Sequence, residues 1–265
     1  MPYQENAKLP ILSRKQLSDQ VYDYLRVKII SGKVQNGAWI RQEDVAEELG
    51  VSHTPIRQAL ERLVMDGMAE RIPFKGVRVV RSSIAEMAEI YALRMYVEPI
   101  LVRLAVPTLS KDEEKIQLLS GWIDQSKDMV TLDQMTARRL INLNFHSEIV
   151  QESRNSTLLW LHNITLNKFP DWILAEGLFK NEDQVRSHFD AEIAEHRSIL
   201  EGIARGDADL AVRFAEDHLR RTFMTDLVTL AGIPPELLKE KEKDLQALKN
   251  GRVLSDLAYA RGSVP

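Results

Sequence analysis

The chain has 265 residues, 44% of them hydrophobic and 28% charged, with a net charge of −4. Cys is absent, which excludes a disulfide framework, a thiolate metal site and a cysteine nucleophile. The opening "MPYQENAKLPILSRKQ" lacks a signal-peptide pattern, and no apolar stretch reaches the ~20 residues of a membrane span. A cytoplasmic protein with no membrane partner is expected. The charge is unevenly spread: Arg14 to Arg81 carries a net +3 and the segment after it −7. A mildly basic head on an acidic body suits a DNA-binding module joined to a domain that does not bind DNA.

Residues 1–13 show no periodicity and are expected to form a flexible arm. Leu17, Val21, Leu25 and Ile29, four apart, predict a helix from Ser13 to Ile30, stopped by Gly32. "QNG" (Gln35 to Gly37) predicts a turn, and "AWI" a short strand. A helix over Gln42 to Leu49 turns Val45, Ala46 and Leu49 inward and ends at Gly50. In "GVSHTPIRQAL", Ser52 is placed to cap the next helix and Pro55 falls in its first turn. Ile56, Ala59, Leu60, Leu63 and Val64 form its apolar stripe, and Gly67 closes it. Two helices joined by about three residues with a Gly make a helix-turn-helix. "MAERI" and "VRVV" alternate in strand fashion around "PFKG" (Pro73 to Gly76), predicting a hairpin. Residues 14–81 therefore predict a winged helix-turn-helix.

The start of the second helix of such a motif meets base edges in the major groove. Here that places Ser52, His53, Thr54, Pro55 and Arg57 on DNA, with Arg57 able to hold a guanine by two hydrogen bonds. Arg41 extends the set, and Lys75 and Gly76 at the hairpin tip form a wing that approaches the backbone closely. Double-stranded operator DNA is the expected partner. A homodimer is expected too, because pairing two heads on a pseudo-palindrome doubles the base contacts.

Beyond Ser83 the pattern is helical throughout. The first helix carries Ile84, Met87, Ile90, Tyr91, Leu93 and Val97 inward and should kink at Pro99. Further helices are predicted over about 111–128, 131–152, 155–167, 183–204 and 207–231. A charged one over about 235–250 should face solvent or a partner. The fold class is mainly α: the winged head, an all-α effector domain over 82–232, and a charged helix and tail over 233–265.

"DVAEELGVSHTPIRQALERLVMDGMAERIPFKGVRVV" resembles the head of the GntR family of bacterial transcription regulators. "LRMYVEPILVRLA", "NLNFHSEIVQESRN", "EHRSILEGIARGDADLA" and "FAEDHL" resemble, in order, the motifs of that family's FadR-type effector domain, called FCD. The family usually has Arg where this chain has His53. The resemblance implies a small-molecule effector of carboxylate type, bound in the helical domain, that changes how the heads sit on DNA.

Within the body, spacing turns His146, His196 and His218 inward on three helices. Three such imidazoles can hold a divalent metal ion, Zn²⁺ or Ni²⁺. The family resemblance implies a fourth ligand at position 142, where metal-binding members have Asp and this chain has Asn142; Asp there should bind metal more tightly. His162 and His188 are read as structural or exposed. Arg94 can clamp an effector carboxylate, pair with Glu98 four residues on, or do both. Coupling to the heads is expected through the Ser82–Ser83 linker. The leading function is a ligand-responsive regulator and not an enzyme. The alternatives are a metal sensor and, less favoured, a metal-dependent helical enzyme, for which no "H-E-x-x-H" or paired "E-x-x-H" is present.

Overall fold

A computed structural model of the chain describes residues 17–80, 83–169, 174, 177–179 and 182–249. The expected arm over 1–13, the tail beyond 249 and Ser82 of the linker lie outside the described residues. The head holds α1 (Leu17–Ile30), α2 (Gln42–Leu49) and α3 (His53–Met65). Its three strands are β1 (Trp39–Ile40), β2 (Ala69–Ile72) and β3 (Gly76–Val79). β3 lies between the other two and is antiparallel to both, with Trp39 opposite Arg78 and Ile72 opposite Gly76. Val21, Leu25 and Ile29 of α1 pack with Ile56, Leu60 and Leu63 of α3 and with Val77 and Val79 of the sheet. Each such buried side chain contributes roughly 1.5–3 kcal/mol. Leu17 begins the same series but is 47% exposed, so the packed stripe starts one turn later than its spacing predicts.

The body is built of α4 (Ile84–Leu109), α5 (Glu113–Ser126), α6 (Met135–Gln151), α7 (Ser156–Lys168), α8 (Glu182–Ala204), α9 (Ala208–Arg221) and α10 (Pro235–Lys249). Among the described residues it contains no strand. Ser83 opens α4 with a reciprocal cap: its Oγ accepts from the Glu86 amide, and the Glu86 carboxylate accepts from the Ser83 amide. The helix then runs unbroken through Pro99 and Pro107. It is the central element, with α6, α7, α9 and α10 all packed on it. That is why its buried positions go round the helix while Ile84, at its start, stays exposed.

α8 and α9 approach closely at Gly202, where a Cβ would lie 2.6 Å from the Ala211 nitrogen. The predicted helix over 207–231 divides into α9, a π-helical segment Thr222–Asp226 and a last turn Leu227–Thr229. α10 does not stand off in solvent. Leu238 is fully buried against α4, and Arg220 pairs with Glu242 across to α9.

Head and body share a packed boundary. Leu143 of α6 and Leu166 of α7 join the head's apolar core. The Arg139 guanidinium donates to the Ile30 carbonyl, and Asn167 Nδ2 donates to the Asp66 carbonyl at 3.1 Å. The linker is therefore not the sole physical path between the two, and the expectation that coupling must run through it is replaced by one with side-chain contacts as well.

Candidate nucleic-acid interface and metal centre

Gly50 ends α2 in the left-handed region, at φ 64°, with its N–H donated to the Ala46 carbonyl. A side chain there would be strained, so Gly sets the corner that aims α3. Ser52 holds the extended N-cap conformation, but its side chain makes no capping hydrogen bond. Its predicted place is right and its predicted bond is not. Ser52, His53, Thr54 and Arg57 are exposed together at the start of α3. Pro55 is buried in the first turn, so it shapes the helix start and offers no surface to DNA. Arg41 is exposed at the start of α2, and Lys75 and Gly76 are exposed at the hairpin tip. Arg41, Lys75 and Gly76 line one groove between the wing and the helices.

Ion pairing separates the head's cations by place. Lys28, Arg62 and Arg78 pair with Glu48, Asp19 and Glu70 at 2.8, 3.0 and 2.7 Å. Among the described residues, Arg41, Arg57 and Lys75 have no carboxylate partner. Cations held out in water without a counter-charge suit phosphate and base-edge contact.

In the body, α6, α8 and α9 bring His146, His196 and His218 together. All three are buried, and their candidate ligand nitrogens lie within 4.8 Å of one another. Glu98 Oε1 is 2.5 Å from His146 Nδ1, and Glu195 Oε2 is 2.7 Å from His218 Nδ1. A carboxylate on Nδ1 fixes the tautomer that leaves Nε2 as the lone-pair nitrogen, the usual outer shell of a ligating imidazole. His196 Nε2 and Asn142 Oδ1 are buried and have no hydrogen-bond partner. Two orphaned acceptors beside two oriented imidazoles fit a cation.

Protonation fits as well. Burial lowers the His146 imidazolium pKa to about 4, against the pull of Glu98. Burial, with the neighbouring His218 and His146, holds His196 well below the ordinary value. Neutral imidazole is the ligating form. Ordinary imidazoles give up a metal as they protonate at a pH of ~6.5; burial moves that point lower for these two donors.

Glu98 organises this region. It is 2% exposed; its Oε2 accepts from Arg94 Nε at 2.7 Å and lies 3.0 Å from His162 Nε2, while its other oxygen, Oε1, faces His146. Burial alone would raise its pKa, but Arg94 and His146 outweigh that and hold it well below the carboxylate range. Arg94 thus makes the predicted pair with Glu98 and also lines the cavity next to the histidines. His162 is wholly buried and belongs to this network. His188 lines the cavity and sits 3.8 Å from Asp226.

That cavity has a volume of about 110 Å³ and is lined by Arg94, Arg138, Asn142, His146, His218 and Asp226 among others. Arg138 Nη2 and Asn142 Nδ2 donate to the two oxygens of Glu192, at 2.8 and 3.0 Å. The Asn142 amide is therefore engaged. Asp in its place would face the Glu192 carboxylate, which opposes the tighter metal binding expected from its charge. Arg221 pairs with both Glu195 and Asp226. Sequence reading passed over Glu192, Glu195, Arg138, Arg221 and Asp226. Spacing four apart marked two of them, Arg138 and Glu192: 138, 142 and 146 share one helix face, as do 188, 192 and 196.

The comparisons with known proteins agree with this layout. Residues 17–79 match the model of "Bacterial regulatory proteins, gntR family", and residues 89–221 match the "FCD domain". A probable D-xylose utilization operon transcriptional repressor of Paenarthrobacter nicotinovorans is 25% identical over 209 residues, covering 78% of this chain and 88% of that one. A gluconate operon transcriptional repressor of Bacillus licheniformis is 25% identical over 203 residues, covering 76% and 82%. Among solved structures, E. coli McbR/YncC superposes with a TM-score of 0.63 at 22% identity, covering 79% of this chain and 96% of that one. No helix among the described residues is long and apolar enough to cross a membrane. With a winged head at one end and an FCD body over half its length, the chain belongs to the GntR family and is a DNA-binding, ligand-responsive transcription regulator.

Proposed function

We propose that two copies of this chain bind a pseudo-palindromic operator, and that a small organic acid held in the helical domain changes their affinity for it. Arg57, with Ser52, His53 and Thr54, reads bases in the major groove. Arg41 and the wing residues Lys75 and Gly76 hold the backbone. His146, His196 and His218 hold a divalent ion, Zn²⁺ or Ni²⁺, with the Asn142 amide oxygen beside them. When bound, the ion supplies a Lewis-acidic anchor for a carboxylate. Arg94 and Arg138 on the cavity wall supply hydrogen-bond donors to the same anion. The relative named for a gluconate operon supports a sugar acid, and the one named for a D-xylose operon supports sugar size alone. No residue is assigned a catalytic role.

The observation that carries this reading is the cluster of three buried imidazoles, two of which, His146 and His218, line a cavity walled by arginines. A metal sensor is the second reading, favoured by the orphaned His196 Nε2 and Asn142 Oδ1, which a cation alone would satisfy. Elemental analysis of protein purified without affinity tag or chelator, followed by Zn²⁺ titration, tests the metal. About one ion per chain is expected, with binding at least about a hundredfold weaker in His196→Ala. Metal-free protein that also fails to take up Zn²⁺ would overturn the metal assignment. DNA affinity that responds to Zn²⁺ alone, and to no carboxylate, would favour the sensor.

A further inference from the structure

The wing tip holds a residue that folding does not explain. Pro73 and Phe74 are the central residues of a tight turn in which the Lys75 amide donates to the Ile72 carbonyl at 3.1 Å. Phe74 has φ 62°, in the left-handed region. A turn with Pro at its second position and positive φ at its third ordinarily takes Gly or Asn there. Phe is disfavoured on two grounds. Its Cβ is strained at that φ, and its ring is 110% exposed, packed on nothing among the described residues. The neighbours on the loop are also exposed: Pro73, Lys75 and Gly76. Lys75 has no carboxylate partner among the described residues. The tip is thus an apolar ring flanked by a cation, on the same module as the exposed start of α3.

We infer that Phe74 is a wedge for the DNA minor groove. The chemistry matches what a bent duplex offers. An aromatic ring can lie against the sugars and part-open a base step, while the adjacent ammonium neutralises a phosphate. Flexible pyrimidine–purine steps open most easily, so the wing selects such a step at a fixed distance from the major-groove contacts of Arg57, with no hydrogen bond to a base. Pro73 holds the turn, and Gly76 lets the strand pass the backbone closely. The strained, solvated ring is then a cost carried by the free protein and recovered on DNA. This inference rests on the wing reading of Lys75 and Gly76 given above.

The test uses the full chain and a duplex selected by that chain from a random-sequence pool. Phe74→Ala and Phe74→Gly should each weaken binding about tenfold at fixed salt. They should leave the dependence of log K on log salt unchanged, because no charge is lost. Lys75→Ala should lower that slope by about one. Arg57→Ala should relax the preference at one base position in the major groove. Phe74→Gly should also raise the unfolding midpoint of the head, since it removes the strain; a general loss of folding would move the two readings together. With 2-aminopurine at the wing step, bound wild-type protein should brighten the fluorescence, and Phe74→Ala should not. Phe74→Ala within twofold of wild type, with Lys75→Ala impaired, would overturn the wedge and leave the wing. Unchanged binding in both variants would overturn both. An effect of Phe74→Ala on self-association alone would assign the ring to a protein contact and also overturn the wedge.

Discussion

Replacing Glu98 by Ala should destabilise the helical domain by about 3–5 kcal/mol, the cost of removing one partner from a buried ion pair. Arg94 is 8% exposed and its Nε rests 2.7 Å from Glu98, so its guanidinium cannot turn to water without disturbing α4. The same carboxylate is 2.5 Å from His146 Nδ1 and 3.0 Å from His162 Nε2. Its loss releases the tautomer of His146, and metal affinity should fall about 10- to 100-fold as for other outer-shell partners. Urea unfolding followed by helical circular dichroism gives the first number, and Zn²⁺ titration of the surviving folded protein gives the second. A variant within 1 kcal/mol of wild type, binding Zn²⁺ equally well, would mean that Glu98 does not organise the site.

The second large effect is acid sensitivity of the metal-free protein. His146 in the folded chain takes up its proton only near pH 4, whereas in the unfolded chain it does so near 6.5. Between those values the unfolded state binds the extra proton, so stability rises with pH across that window and is lost as the pH falls through it. His146 alone accounts for roughly 3 kcal/mol over the interval. His196, lowered further by burial and by its neighbouring histidines, acts in the same direction. Glu98 and Glu192 are lowered as carboxylates, so what they contribute is present above the ordinary carboxylate range and is lost on further acidification. Asp226, raised by burial, works the other way. The stability of chelator-treated protein between pH 7 and 4 should therefore fall steeply. His196→Phe, which removes a buried titrating group and keeps a flat ring, should flatten the curve. An equal slope in wild type and variant would contradict the placement of a neutral imidazole in that core.

The helices of the head were legible because each signal was local. Gly50, the Ser52 position and the stripe Ile56, Leu60 and Leu63 sit where helix stops, caps and packing demand them. The three clustered histidines were legible from inward spacing, and the structure brings them together. Pro55 was misplaced because residue type and position at a helix start do not reveal which way a short side chain faces. His162 could be read only as structural or exposed, because its partner, Glu98, is 64 residues away in sequence. Arg139 was invisible for the same reason: it meets Ile30 only after two domains have docked. α4 gave no clean stripe because helices cover it on several sides, and α10 looked solvent-facing because one buried Leu238 among many charges leaves a weak pattern. Phe74 sat in plain view in "PFKG", but the left-handed backbone that makes it unusual cannot be read from residue types.

The central claim is that occupation of the helical cavity is coupled to the heads. Arg139 gives that coupling a physical element, since it lines the cavity and donates to the last carbonyl of α1. On the proposed function, an anion in the cavity would compete with that carbonyl for the guanidinium and loosen the head from the body. Coupling of this kind is reciprocal and typically amounts to ~1–3 kcal/mol. The decisive measurement is calorimetry of metal-loaded protein with a sugar-acid carboxylate, in the absence and presence of the selected duplex. The dissociation constant of the acid should differ about 5- to 150-fold between the two titrations, and Arg139→Gln should reduce the difference. Identical constants with and without DNA, for an acid that does bind, would contradict the account.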